Sequence, residues 1–128
     1  MSGMNSKVLC FNIAYEQWQA VQAAARESGA DCIAVPQADF SQCVGALIGV
    51  LPKTNTLCLS PFSEPMLIMS GFTQAQTDIF LAALRARSIT IPYKAVVTPT
   101  NLMWQCDALI RELIQEHEQI RRMAQKNE

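Results

Sequence analysis

The sequence predicts an α/β protein built around a four-stranded sheet, and three observations indicate this class. Four short apolar runs, rich in β-branched and aromatic residues, are separated by segments with helical spacing of apolar residues. Strand and helix patterns alternate, which favours parallel pairing through right-handed crossovers. The 128 residues, 50% hydrophobic and 16% charged, suit one globular domain. We therefore interpret residues 1–128 as a single α/β domain.

The chain begins its ordered pattern with a strand and a helix. The run 7–13 is apolar on both faces, which is typical of a central strand covered on both sides. Apolar residues then recur every three or four positions over 15–27, and Gly29 is placed to end that helix. The run 31–35 predicts the next strand, and Pro36 directly after it suits an edge of the sheet.

A short second helix is predicted next. Asp39 with Gln42 three residues later is typical of a capping box, and the apolar stretch that follows ends near Leu51. Prolines and small polar residues over 53–63 then indicate a loop. We interpret this loop as the junction between two halves of the chain.

The second half shows the same order of elements. The run 66–70 is again apolar on both faces and predicts a second central strand. Thr73 and Gln76 repeat the capping signature before another amphipathic helix. The run 93–98 predicts an edge strand, because the charged Lys94 is better tolerated at an edge.

The last helix is predicted to be the longest. Thr98 followed by Pro99 is typical of a helix start, which places the helix from there to about residue 126. Its apolar stripe keeps helical spacing for six turns and contains Leu102, Cys106, Leu109, Leu113, His117, Ile120 and Ala124.

The repeated order of elements predicts an internal duplication of residues 7–52 and 64–118, with a helical extension over 119–128. If the first and third strands are central, the strand order is 2-1-3-4 in a parallel sheet. A ferredoxin-like mixed sheet is the alternative, because it also places those two strands in the centre.

Composition excludes several classes of partner. The net charge is −1 and Lys and Arg form no cluster, which argues against nucleic-acid binding. The longest apolar run, 44–51, is far shorter than a membrane span, and residues 1–7 lack the apolar region of a secretory signal. Five scattered cysteines without a C-x-x-C motif suggest reduced, buried thiols. These features predict a cytoplasmic protein.

Familiar catalytic and cofactor motifs are not found. The turn after the first strand has no glycine for a phosphate-binding loop, and Asn12 and Ser70 stand where a phospho-receiver would need carboxylates. His117 is the single histidine and lies on an apolar stripe, so a packing role is favoured for it. Glu112, Glu116 and Glu118 lack a second histidine at ligand spacing and are interpreted as a solvated helix face. We expect no cofactor and no metal.

One constellation of side chains remains as a candidate site. In a parallel sheet the loops after all four strands lie along one edge, and a crevice forms where the strand order reverses. Free N–H groups at helix starts suit a small anionic ligand there. The alternative is that these residues cap helices or pack in the core. The crevice residues would be Asn12, Tyr15, Ser70, Gly71, Thr73, Thr98, Asn101 and Trp104.

Several short motifs carry a family resemblance: the run KAVVTPTNLMW, which is the most specific, and Gly71-Phe72, Leu84-Arg85 and Glu116-His117. In these motifs the chain resembles the bacterial family catalogued as domain of unknown function 3783. The resemblance extends from the first strand to His117. It implies a small cytosolic bacterial domain and brings no activity, substrate or cofactor.

These observations predict a non-catalytic module that binds a small ligand or another protein in the bacterial cytoplasm. A small enzyme that uses the strand-end crevice is the alternative. The stripe of the last helix continues to Ile120 and Met123, beyond the length that a short sheet can cover. We therefore expect a homodimer formed through this helix.

Overall fold

The structure is a computed structural model that describes residues 6–126. Four strands and four helices alternate along the chain, and a short 3-10 turn precedes each of the two even-numbered helices, at Gln37–Asp39 and Asn101–Met103. The elements are β1 (Lys7–Phe11), α1 (Tyr15–Glu27), β2 (Asp31–Ala34), α2 (Val44–Leu47), β3 (Met66–Ser70), α3 (Gln74–Ala86), β4 (Tyr93–Val96) and α4 (Cys106–Lys126).

The sheet has the predicted strand order, β2-β1-β3-β4, but it is mixed. β1 is parallel to β2, and β3 is parallel to β4. The two central strands are antiparallel, with Lys7 opposite Ser70 and Phe11 opposite Met66. The prediction of a parallel sheet was therefore wrong at its centre. The ferredoxin-like alternative was right about mixed pairing, but here the strands joined by each crossover helix are direct neighbours.

The segment between β2 and β3 decides the direction of β3. Its last part is held at the C-terminal end of β1, where the Asn12 side chain donates to the carbonyl oxygens of Phe62 at 2.8 Å and Glu64 at 3.1 Å. β3 consequently starts beside the C-terminal end of β1, and it runs antiparallel to β1. Strand apolarity and length carry no information about this return path.

Helices cover both faces of the sheet, so the domain has three layers. α1 and α3 lie on one face, where Val8 and Leu67 belong to their shared core cluster. α2 and α4 cover the other face, which contains Leu9, Phe11 and Ile68. Because both faces are covered, β1 and β3 need apolar residues at successive positions, as their sequences predicted.

The predicted start of α3 is confirmed in detail. Thr73 Oγ1 accepts from the Gln76 N–H at 3.0 Å, and Gln76 Oε1 accepts from the Thr73 N–H at 2.9 Å. This reciprocal pair is the capping box that the spacing indicated.

The predicted starts of the two even-numbered helices were wrong. Asp39 ends a 3-10 turn and forms an ion pair with Lys53 at 3.0 Å, while α2 begins only at Val44. Thr98 likewise precedes a 3-10 turn, and α4 begins at Cys106. In both places a short turn intervenes between the end of the strand and the helix.

α4 extends beyond the sheet that supports it. Its 21 residues span about 31 Å at 1.5 Å per residue. The His117 ring contacts Tyr93, at the start of β4, edge-on with 5.7 Å between ring centroids. α4 therefore runs antiparallel to β4, and its last two turns project past the strand. On those turns Ile120 is 67% exposed and Met123 is 64% exposed.

Candidate functional site

The structure does not bring the predicted crevice residues into one cleft. Asn12 and Tyr15 follow the end of β1, whereas Ser70 ends β3 and Gly71 and Thr73 come directly after it. Because β1 and β3 are antiparallel, their C-terminal ends lie at opposite ends of the sheet. A strand-end crevice at the reversal of strand order requires parallel neighbours, and β1 and β3 do not provide it.

The two residues after β1 have separate environments. Asn12 has a φ of 57° and uses its amide to hold the segment before β3, as described above. Tyr15 is the first residue of α1, and its side chain is 94% exposed. Asn12 thus has a structural role, while Tyr15 lies on the open surface.

The residues after β3 also have structural partners. Ser70 is buried, and the Gly71 carbonyl accepts from Ser6 Oγ at 3.0 Å. Gly71 has a φ of 72°, a conformation that glycine adopts without steric cost. The Thr73 hydroxyl is occupied by the capping box of α3.

The remaining three predicted residues do lie together. Thr98, Asn101 and Trp104 line a groove of about 330 Å³ between the outer edge of β4 and α4. We call this feature the β4–α4 groove. Its other lining residues are Lys94, Ala95, Thr100, Leu109, Glu112, Leu113 and Glu116.

Hydrogen bonds within the loop occupy the polar groups at one end of the β4–α4 groove. The Thr98 N–H donates to Asn101 Oδ1 at 2.9 Å, and the Asn101 N–H donates to Thr98 Oγ1 at 3.0 Å. Asn101 Nδ2 also donates to the Val96 carbonyl at 3.0 Å. Trp104 is half-buried and packs against the core cluster beneath α4. These residues shape the groove and leave few free donors for an anion.

The charge of the β4–α4 groove is negative. Glu112 and Glu116 are exposed on its α4 wall, and within residues 6–126 neither carboxylate lies in an ion pair. The Lys94 ammonium donates to the Ile91 carbonyl and forms no ion pair with either carboxylate. Desolvation by burial lowers the pKa of Lys94. The groove therefore favours a cationic occupant over an anionic one.

The opposite wall of the groove is an open edge of the sheet. The Val97 N–H donates to the Met69 carbonyl at 2.9 Å, so the main-chain N–H and C=O groups of Val97 point toward β3. Because N–H and C=O directions alternate from residue to residue in a ladder, Lys94 and Val96 direct theirs away from β3. Asn101 occupies the Val96 carbonyl, which leaves the Val96 N–H and both main-chain groups of Lys94 facing the groove.

Cys10 and Cys32 are neighbours on one face of the sheet, and Cys106 lies on the opposite face. All five cysteines are free thiols. A hydrogen bond with Cys32, on the neighbouring strand, and desolvation by burial raise the pKa of Cys10. Burial also raises the pKa of Cys106, to about 12. In the described part of the chain, no three His, Cys, Asp or Glu side chains are grouped as a metal site.

Sequence reasoning predicted β4 as an edge strand, but it missed the acidic wall that lies beside it. Glu112 and Glu116 were interpreted as part of a solvated helix face, because one helix carries no information about the strand beside it. The signal that was available is their spacing of four residues, which places both side chains on one face of α4. The position of β4 at the edge of the sheet supplies the rest.

Residues 65–120 match the family model described as Domain of unknown function (DUF3783). This match confirms the resemblance and covers β3 through most of α4, although not the first half of the chain. The β4–α4 groove lies entirely within the matched residues. No curated protein and no solved structure matches the chain. Among the described residues, no helix combines the length and apolarity that crossing a membrane requires.

Proposed function

We propose that this protein is a non-catalytic protein-interaction module of the bacterial cytoplasm that self-associates through the projecting end of α4. The observation that carries the proposal is the exposure of Ile120 and Met123, at 67% and 64%, on the turns that pass beyond β4. Earlier on the same stripe, Cys106 and Leu109 are buried in the core cluster and Leu113 packs against it.

The apolar stripe supports a helix partner on this surface. Ile120 and Met123 are three residues apart, so their side chains lie on one face of the helix. Burying an Ile or Met side chain that is otherwise exposed contributes about 1.5–3 kcal/mol. In a two-fold interface between two copies of α4, Ile120 and Met123 of each chain would be buried against the other chain.

The arrangement of reactive groups favours binding over catalysis. A small enzyme would need a nucleophile or a base beside a cleft that takes substrate. His117 lies edge-on against Tyr93, and Cys106 is buried at the start of α4. In the β4–α4 groove, the side chains of Lys94, Thr98 and Asn101 are engaged in the hydrogen bonds described above.

We also infer that the chain arose by internal duplication of a strand-helix-strand-helix unit. The same series of elements occurs twice along the chain. The Val44 N–H donates to the Trp104 carbonyl at 2.9 Å, and the Cys106 N–H donates to the Gln42 carbonyl at 3.0 Å. One constant offset in residue number relates Val44 to Cys106 and Gln42 to Trp104. Each bond is therefore the equivalent of the other, as expected of two repeats related by a pseudo-two-fold axis.

Sedimentation analysis tests the self-association. We expect the full chain to sediment as a dimer, and a chain ending at Glu118 to sediment as a monomer. The double variant Ile120→Gln with Met123→Gln should also be monomeric, because it removes apolar surface and keeps the helix length. A matched control, Arg111→Gln with Gln115→Ala, changes exposed positions of α4 away from this stripe and should remain dimeric.

Thermal unfolding of each variant checks that the domain is intact. If the full chain and the shortened chain are both monomers, or both form the same dimer, the projecting turns are not the contact.

A further inference from the structure

We propose that the β4–α4 groove binds an extended segment of a partner protein, which adds to β4 as an antiparallel strand and carries basic side chains at alternate positions. This site goes beyond the proposed self-association. It uses β4 and the part of α4 before His117, whereas self-association uses Ile120 and Met123.

The open edge of β4 supplies the main-chain contacts. In an antiparallel pair, one peptide residue placed opposite Lys94 exchanges two hydrogen bonds with it. The Val96 N–H supplies a third bond, to the carbonyl of the peptide residue two positions nearer the N-terminus. Strand addition of this kind obtains affinity from the main chain and specificity from alternate side chains.

The length of the contact is limited at both ends. Pro92 has no N–H to donate, and Asn101 Nδ2 already occupies the Val96 carbonyl. Within β4 itself, the Lys94 N–H, the Lys94 carbonyl and the Val96 N–H are thus available for three main-chain bonds. The groove therefore suits a short linear segment and does not support a long continuous sheet between two proteins.

The floor and wall of the groove define which side chains fit. Leu109, Leu113 and Trp104 provide apolar surface at the floor. Glu112 and Glu116 lie one helical turn apart, which separates their Cβ atoms by about 6 Å. Alternate residues of an extended strand are separated by about 7 Å along the same face. Two basic side chains at alternate peptide positions therefore match the two carboxylates.

The antiparallel course of α4 fixes the order of the peptide. Trp104 and Leu109 lie toward the end of β4, whereas Glu116 lies toward its start, near the contact of His117 with Tyr93. A strand antiparallel to β4 passes the apolar floor first, then Glu112, then Glu116. The expected motif is apolar-x-basic-x-basic, read from the N-terminus.

A labelled peptide tests the proposal on the full chain. The probe is the fluorescein-labelled, C-amidated peptide Thr-Leu-Thr-Arg-Thr-Arg-Thr, and binding is measured by fluorescence anisotropy. We expect saturable binding, with an affinity at least tenfold lower for the double variant Glu112→Lys with Glu116→Lys. Glu16→Lys with Asp78→Lys is the matched control, because it changes the net charge equally at exposed positions of α1 and α3. The control should bind as the parent does.

Methylation of peptide nitrogens separates strand addition from simple charge attraction. The threonine between the two arginines would face the main chain of Lys94, so N-methylation there should weaken binding at least tenfold. The N–H of the first arginine points away from β4, and its N-methylation should leave the affinity within about twofold.

Three outcomes would overturn the proposal. They are no binding at about 1 mM peptide, equal binding by the acidic-wall variant and the parent, and equal loss from both N-methylated peptides. Binding to the parent with monomeric sedimentation would remove the proposed self-association and leave this inference standing. A dimer that binds no peptide would do the reverse.

Discussion

Asn12 shows how one side chain can determine the course of a much longer segment. It directly follows β1, has a φ of 57°, and donates to the carbonyl oxygens of Phe62 and Glu64. Asn tolerates the left-handed region better than most residues, because its short polar side chain can form local hydrogen bonds. The residue that was expected to line a ligand crevice instead fixes where β3 begins.

Replacement of Asn12 separates its side-chain bonds from its backbone conformation. Asn12→Gly should lower the free energy of unfolding by about 1–3 kcal/mol, because glycine accepts the φ and loses both hydrogen bonds. Asn12→Ala should cost about 1 kcal/mol more, because alanine is strained at positive φ. Urea unfolding of the two variants measures both effects.

Ser88 provides a control for the Asn12 variants. It also has a φ of 57° and is exposed, so Ser88→Gly should be neutral or slightly stabilising. Equal stability of Asn12→Gly and the parent would show that the bonds to the Phe62 and Glu64 carbonyls contribute nothing.

At the scale of elements, the 3-10 turns before α2 and α4 explain why both helix starts were predicted too early. Each turn carries the chain from the edge of the sheet to the start of a helix beneath it, and the two segments meet at the isolated bridge between Cys43 and Gln105. The backbones approach closely there. A Cβ added at Gly45 would lie 2.6 Å from Leu51 Cδ1 and 3.1 Å from the Leu102 carbonyl oxygen, so both neighbours would have to shift to admit a larger residue.

Trp104 belongs to this meeting of elements. The structure leaves it half-buried at the end of the β4–α4 groove. Trp104→Ala should therefore cost about 2–3 kcal/mol, less than the ~3–5 kcal/mol of a fully buried aromatic residue. Chemical denaturation measures the difference. Met103→Ala is the neighbouring control, since Met103 is 72% exposed and should change stability by less than about 0.5 kcal/mol.

A Trp104→Ala variant as stable as the parent would remove the structural role of this side chain. If that variant also lost the peptide, Trp104 would be a binding residue alone.

At the scale of the whole molecule, the cysteines report on burial in both helix layers. Cys10 is buried beneath α1 and α3, and Cys106 is buried on the opposite face of the sheet. Freshly prepared protein, denatured without reductant, should titrate as five free thiols. In the native protein at pH 8, these two thiols should react with a thiol reagent far more slowly than Cys43 and Cys58, which are partly exposed.

The Cys106 thiol makes the free energy of unfolding depend on pH in a defined direction. Burial, with the nearby Asp107 and Cys43, raises the pKa of Cys106 from 9.0 to about 12. The thiol thus stays protonated in the folded state while the unfolded chain loses its proton. This contribution to the free energy of unfolding is fully present below pH 9 and declines as the pH rises toward 12. A native Cys106 that reacts readily at pH 8, or fewer than five thiols after denaturation, would contradict the burial shown here.

The sequence by itself determined the class of the fold, the four strands, the positions of α1 and α3, and the strand order. Those features follow from local physics, because the periods of apolar residues and the capping box around Thr73 act within one element. The continuous apolarity of β1 and β3 was enough to place both strands in the centre. The exposed stripe at Ile120 and Met123 was also evident from helical spacing alone.

Only the tertiary structure decided the direction of β3, and with it the position of any site. Antiparallel pairing of β1 and β3 separates Asn12 from Gly71 and removes the expected crevice. The same arrangement leaves β4 at an open edge beside Glu112 and Glu116. The physical reason is that an apolar strand covered on both faces fits a parallel or an antiparallel neighbour, so long-range contacts such as that of Asn12 with Phe62 choose between them.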